Sequence, residues 1–382
     1  MYVLLRATCV LRLVLANSPL FGQTDQNARI VDCDRGESLR LTVKLAHPGD
    51  TIRVRGACDG PLTITQDQLA IQASGTASVN GKGQDAITIN GAHGVNLTGL
   101  SITRGSNGIL LQSNASAKLI GGEVTSNALN GIDLESTSSL IITGTYTVSN
   151  NGVFGINANN TSSLTLTAAT LTVNNNTLGM QIGTGSGAFI SDSHTALNVT
   201  GNLTTGLTIV SGAHMVAFGG AITSFGNGIH GISIDSKAGL DLDAAATVES
   251  SHNHGDGVHL EETSVLTMFN TPAFSGEPGF TTLNTHDNAG SGVNVETSSN
   301  VTLINQASIT STHNTKAGVA ADDGSSITLI NSQISDNPTD IALSFGARAT
   351  LNGNTIGTIT CDSTVLLRSS SGAACPTSVK TP

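Results

Sequence analysis

Hydrophobic and polar positions in this chain follow one pattern that repeats along most of its length. The unit is Gly, an apolar residue, any residue, then usually a second apolar one. It recurs at Gly108-Ile109, Gly131-Ile132, Gly155-Ile156, Gly179-Met180, Gly206-Leu207, Gly231-Ile232, Gly257-Val258, Gly292-Val293 and Gly318-Val319. Asp340-Ile341 makes a tenth copy, and Ala86-Ile87 and Leu69-Ala70 extend the series upstream. Successive copies lie 22 to 27 residues apart, except for 35 between Gly257 and Gly292. Four residues before the Gly stands Asn127, Asn151, Asn175, Asn202, Asn227, Asn253, Asn288 or Asn314, with Asp336 in that place in the tenth copy. Nine and eleven residues after it come apolar pairs such as Leu140 and Ile142, Leu240 and Leu242, or Val301 and Leu303. No insertion interrupts this block, so all variation in length falls in the rest of each unit.

Alternation at period two inside the block predicts two short strands, and a weaker apolar patch such as Tyr146 and Val148 predicts a third before the next Asn. Three strands per unit make one coil of a parallel β-solenoid, and each coil buries its apolar face only against its neighbours. At about 4.8 Å per coil, ten to twelve coils give a rod roughly 50 Å long. The Asn column suits a corner: Asn tolerates left-handed backbone, and its amide can bond the equivalent amide one coil away. That column is architectural.

Composition agrees with a narrow solenoid. Aromatics are 3% of the chain, Trp is absent and Gly numbers 44, which implies a core of small and branched side chains cut by frequent turns. The net charge of -11 is unevenly spread: between Lys118 and Arg348 only Lys237 and Lys316 oppose eighteen acids. Such a surface repels nucleic acid and anionic membranes. Residues 1–22 read as an export signal, with an apolar run from Val10 to Ala16 broken by Arg12. No other segment approaches the length of a membrane span. Beyond Cys9, the cysteines form two pairs at opposite ends, Cys33 with Cys58 and Cys361 with Cys375, which predicts two local disulfides and an oxidising, extracellular or periplasmic location.

In its Asn-x3-Gly-apolar register the chain resembles the right-handed parallel β-helix proteins of the pectate-lyase-like superfamily, over roughly residues 60 to 360. The resemblance implies an all-β, right-handed, single-stranded parallel β-helix with both ends capped: residues 23–60 as N-terminal cap, 61–360 as helix, 361–382 as C-terminal cap and tail. Ser38 to Ala46 resembles that superfamily's amphipathic cap, leading through Pro48-Gly49-Asp50 into the first strand, although Leu39, Leu41, Val43 and Leu45 fit a strand equally on periodicity. For function the resemblance is broad, covering lyases, glycoside hydrolases, uronate epimerases and surface proteins, and fold alone does not choose among them. Of the polygalacturonase-like signature, only Asn284-Thr285-His286-Asp287 and Asp322-Asp323 echo here. Lyase-like members use Ca²⁺-binding carboxylates with basic residues, and this rod has almost none of the latter. If the Asn corner matches the family's Asn-lined turn, the substrate-facing column lies ten residues after each Gly. It reads Lys118, Ile141, Thr165, Phe189, Val216, Asp241, Thr267, Thr302, Thr328 and Thr350, mostly an ordinary Thr-rich solvated face.

The candidate chemistry lies four residues after the Gly, where Asp235, Glu261, Glu296 and Asp322 occupy one column in four consecutive coils. Like charges about 5 Å apart repel by roughly 1 kcal/mol per pair in water. A carboxylate pair can serve glycosidic chemistry, and a hard cation such as Ca²⁺ would relieve the repulsion; no cofactor is assigned on this ground. His259 and Asn294 sit two residues earlier on the same strands as candidate substrate contacts. The long unit places its extra residues between Phe269 and His286, with Phe269, Phe274 and Phe280 offering rings to a sugar. His252, Asp287 and His313, with His254 and His286 beside them, form a further corner cluster, to which no metal is assigned. The sequence reading is an exported, monomeric β-helix that binds carbohydrate or a cell-surface polymer. The alternative is a glycoside hydrolase or polysaccharide lyase using the four stacked acids.

Overall fold

The computed structural model describes residues 28–271, 279–370, 372 and 374–375. The expected signal segment and Phe274 lie outside them. The chain coils as a parallel β-solenoid whose short strands stack into one sheet of thirteen, from Leu62–Ile64 to Ile359–Cys361. Thirteen coils exceed the expected ten to twelve. The first coil escaped the motif because its short strand follows Pro61 rather than Gly, so Leu62 and not Leu69 is the residue in register with Ile87. Ala70 instead pairs with Thr51 and Asn96 in the broader sheet.

Each coil contributes one short strand and, on the other faces, either one bent strand or two separate ones. Early coils use bent strands such as Ser139–Ser149 and Ser163–Asn174, whose pairing shifts register between Ile142 and Gly144. Later coils divide the same path, as in Gly239–Asp243 and Thr247–Ser251. The interior is filled by columns of like side chains: Ile132, Ile156, Met180, Leu207, Ile232, Val258 and Val293 stack in the short-strand sheet, all fully buried. Aliphatic side chains stacked at the strand spacing fill a narrow interior, which is why the core needs so few rings.

The recurrent Gly and Asn have one shared cause. The ladder runs Asn127, Asn151, Asn176, Asn202, Asn227, Asn253, Asn288, Asn314 and Asn337, each Nδ2 donating to the Oδ1 of the next at 2.9 to 3.2 Å. All but the last of these amides are buried, and up to Asn314 the backbone N–H of each also donates to the following Oδ1. A Cβ on Gly131 would sit 2.7 Å from the Asn151 amide and 2.6 Å from the Gly155 carbonyl, so the Gly column is kept bare by the ladder passing over it. Two expected members are corrected: Asn175 and Asp336 are not ladder residues but occupy the left-handed corner before it, at φ 55° and 61°. In those two units the turn from ladder to Gly is one residue shorter, and the ladder takes Asn176 and Asn337.

At the N-terminal end, the helix Leu39–Lys44 buries Leu39 and Val43 over the first coil, and Ser38 caps it by accepting the Leu41 N–H. Leu41 and Leu45 are exposed there, so the apolar alternation that would also fit a strand gives way to a helical face. Cys33 bonds Cys58, and Cys361 bonds Cys375.

Candidate functional site

In seven consecutive coils the short-strand sheet places a polar side chain between its inward aliphatics, two residues after each Gly. In register these are Asp133, Asn157, Gln181, Thr208, Ser233, His259 and Asn294. Seven polar residues in succession, about 4.8 Å apart, form a stripe roughly 29 Å long. At one end its members bond one another: Asn157 donates to Asp133 at 2.9 Å, Asn159 to Asn157 at 2.8 Å and Gln181 to Asn157 at 3.3 Å. Asp133 is only 5% exposed. Burial raises its carboxyl above the usual range, although amides from Asn130 and Asn157 partly oppose this.

The other end is an ionisable cluster. His259 Nδ1 lies 3.1 Å from Asp256 Oδ2, and Asp256 is held by the Ser291 N–H at 2.7 Å and the Asn294 amide at 3.2 Å. The His230 ring stacks on His259 with centroids 4.4 Å apart. His230 Nδ1 accepts the Asp256 backbone N–H at 3.1 Å, so that nitrogen carries no proton. Burial, reinforced by the neighbouring His259, lowers His230 below an ordinary imidazole. Burial would lower His259 too, but the bond to Asp256 and the adjacent carboxylates outweigh it, and its affinity for a proton is raised. Asp256 is the converse: burial alone would raise it, yet His259 and the Ser291 N–H hold it low. Stacked rings of one residue type thus titrate in opposite directions.

Of the expected acids, Glu261 and Glu296 join this cluster. His259 Nε2 lies 3.8 Å from Glu261 Oε2, and Asn294 donates to Glu296 at 2.6 Å. His259, Glu261 and Glu296 present ligating atoms within 4.8 Å of one another. Asp322, one coil beyond Glu296, is raised by burial and then by the Glu296 charge, and its Oδ1 is buried without a hydrogen-bond partner. Asp235 accepts instead from its own neighbour Ser236 at 3.0 Å. Sequence reasoning missed His230 and Asp256. Both sit immediately before the Gly of consecutive units, a column with no repeating residue type to mark it.

The long loop is described at its two ends, 269–271 and 279–281. It leaves the strand Val265–Met268 and returns at Thr282–His286, and its start is tied to a different corner, where the Thr271 N–H and Oγ1 donate to Asp243 Oδ1 at 2.9 and 2.7 Å. Phe269 is half-buried and Phe280 is exposed, both across a strand from the acidic column. The polygalacturonase echo also separates, since Asn284 and Thr285 lie on the broad sheet, Thr285 facing inward, while Asp322 follows a short strand. In the column ten after each Gly, Asp241 pairs with His214 at 3.0 Å, a contact the sequence reading did not foresee. In the corner cluster, His286 rather than His313 joins His252 and Asp287 within ligating distance. His286 is bonded on both ring nitrogens, to Asp287 at 2.7 Å and to Glu249.

The family described as right handed beta helix region matches residues 273–375. No curated protein matches the chain by sequence. Among solved structures, the A-module of the Azotobacter vinelandii mannuronan C-5 epimerase AlgE6 superposes with a TM-score of 0.56 at 13% identity, covering 88% of this chain and 99% of that one. The Agl-KA catalytic domain gives 0.37 at 13% identity, covering 84% of this chain and 62% of that one. Pectate lyase Pel9A gives 0.33 at 12% identity, with 91% and 81% covered. At 13% identity the likeness to the A-module is one of fold.

Proposed function

Taking the chain as a right-handed parallel β-helix of the pectate-lyase-like kind, we propose that it binds an extended, neutral carbohydrate polymer along the short-strand sheet. The observation that carries this reading is the stripe from Asp133 to Asn294, whose amides, hydroxyl groups and carboxylate repeat at the strand spacing and so match a polymer of repeating hydroxylated units. The A-module of matching fold is, by its name, an epimerase of mannuronan. The acid excess on this rod argues against an anionic polymer here. The two disulfides suit an exported protein, released by cleavage near residue 22 and acting as a monomer with residues 23–60 and 361–382 capping the rod. Titration with a panel of neutral polysaccharides tests the reading. Asn157→Ala and Gln181→Ala should weaken binding, while Thr302→Ala on the broad sheet should not. Equal sensitivity of both faces would overturn it.

A second reading, turnover, is favoured by one feature: Asp256 fixes His259 so that Nε2 faces Glu261, with Glu296 alongside. Carboxylates this close fall near the roughly 5–5.5 Å spacing of retaining glycosidases and short of the separation that inversion needs. New reducing ends or unsaturated uronates from the same panel, abolished by Glu261→Gln with Glu296→Gln, would establish it. No product from any polymer would leave binding as the function.

A further inference from the structure

We propose that His259 Nε2, Glu261 and Glu296 form a binding site for a divalent cation of the zinc class, with Asp256 as the outer carboxylate that orients the histidine. This goes beyond both readings above, because a cation on Nε2 makes His259 a ligand rather than a proton carrier.

The geometry has three parts. Ligating atoms of the three residues lie within 4.8 Å of one another, and the Nε2–Oε2 separation to Glu261 is 3.8 Å. Ligands about 2.1 Å from a tetrahedral ion stand roughly 3.4 Å apart, so a small rotation of Glu261, whose side chain is 40% exposed, closes the set. The orientation is fixed from behind. Because Asp256 takes the Nδ1 side of His259, the Nε2 lone pair is left to face the carboxylates, the carboxylate–histidine–metal arrangement that sets both tautomer and ring direction. Asp256 is itself anchored by Ser291 and Asn294, and Asn294 also steers Glu296. Such outer support is what distinguishes a built site from a chance group of acids.

The donor set selects the ion. One imidazole nitrogen and two carboxylates suit four-coordinate Zn²⁺ with an open fourth position, whereas Ca²⁺ requires six to eight oxygens. A cation here would also offset the repulsion within the column of Glu261, Glu296 and Asp322. The groups facing the imidazole are Asp256, His230, Asn294, Glu261 and Glu296; the three acids bring negative charge and oxygen ligands, whereas His230 presents its ring and Asn294 its Nδ2 amide.

The test is calorimetric titration of the chelator-treated full chain with ZnCl₂, with parallel Mn²⁺ and Ca²⁺ arms and no carbohydrate present. The expected result is one equivalent of Zn²⁺ bound per site, weakened at least tenfold by Glu296→Gln and by His259→Ala, and about 10–100-fold by Asp256→Asn. His286→Ala, which disrupts the separate corner cluster, should leave this equivalent intact. If His259→Ala fails to fold, the half-exposed Glu261→Gln serves in its place. Absence of a zinc equivalent, or its loss on His286→Ala with retention in Glu296→Gln, overturns the proposal. Tighter binding of Ca²⁺ than Zn²⁺ overturns the assigned class. Failure here would leave the stripe's carbohydrate binding untouched, since that is measured through Asn157 and Gln181.

Discussion

Replacing Asn176 and Asn175 one at a time should have unequal consequences, although the two are identical neighbours in sequence. The Asn176 Oδ1 accepts both the backbone N–H and the amide of Asn151, at 2.9 and 3.0 Å, and its own amide donates to Val148 O and Asn202 Oδ1, both at 3.2 Å. The side chain is 2% exposed. Asn176→Ala strands the buried Asn151 N–H, costing about 1–3 kcal/mol, and removes three further hydrogen bonds worth about 1 kcal/mol each. The expected loss is about 4–6 kcal/mol. Asn175 is exposed with φ 55°, so Asn175→Gly should be near neutral and Asn175→Ala should cost about 1–2 kcal/mol, the penalty for left-handed backbone. Urea unfolding gives the totals. A solenoid of this length need not unfold in one step, so amide exchange at Asn151 supplies the local reading, with protection falling in Asn176→Ala and surviving in Asn175→Gly. If both alanine variants cost the same, the ladder does not hold the corner and the account of the Gly column fails with it.

Further outcomes follow from the charged and covalent features. In an NMR titration the stacked rings should separate, His259 retaining its proton above the usual imidazole pH and His230 losing its proton below it. Because the folded pKa of His259 is raised, its contribution to stability is complete below the unfolded value of about 6.5 and is lost as pH rises through the folded value. His259→Gln should therefore flatten stability above neutrality, and an unchanged pH slope would contradict the Asp256 bond. Asp256, held low, acts in the opposite sense, with stability lost as pH falls through its depressed value. Opening the Cys33–Cys58 bond, which spans 25 residues, should cost about 3.5 kcal/mol by chain entropy, visible as a lower urea midpoint for Cys33→Ser with Cys58→Ser. Without metal, Glu296→Gln should raise the midpoint slightly by relieving repulsion with Asp322, and a fall would show that the column is not repulsive.

Much of the rod was legible because its determinants are local and repeated. A Gly that must clear the ladder and an aliphatic that must fill a column recur at a fixed interval, so their register is visible without coordinates. What failed was resolution to one residue. Asn175 and Asn176 cannot be told apart by spacing alone, since the corner absorbs a one-residue change that only hydrogen bonding reveals. The acidic column was partly readable: Glu261 and Glu296 converge because they share a register position with an outward histidine one turn of alternation away. His230 and Asp256 belong to a neighbouring column, and they reach His259 across coils by ring stacking and a charged hydrogen bond, neither of which has a sequence period. The long loop is legible only as extra length. The described ends of that loop are separated from Glu261 by the strand Val265–Met268, a separation that nearness in sequence does not show.

That extra length has a consequence of its own. On either side of residues 269–281 the pairing is undisturbed, Met268 still matching Leu303 and Thr282 still matching Ser308. The scaffold therefore has an uncommitted joint where foreign segments can be spliced while the load is borne elsewhere, by the ladder and the short-strand sheet. A protein built this way can acquire new appendages by insertion without renegotiating its core.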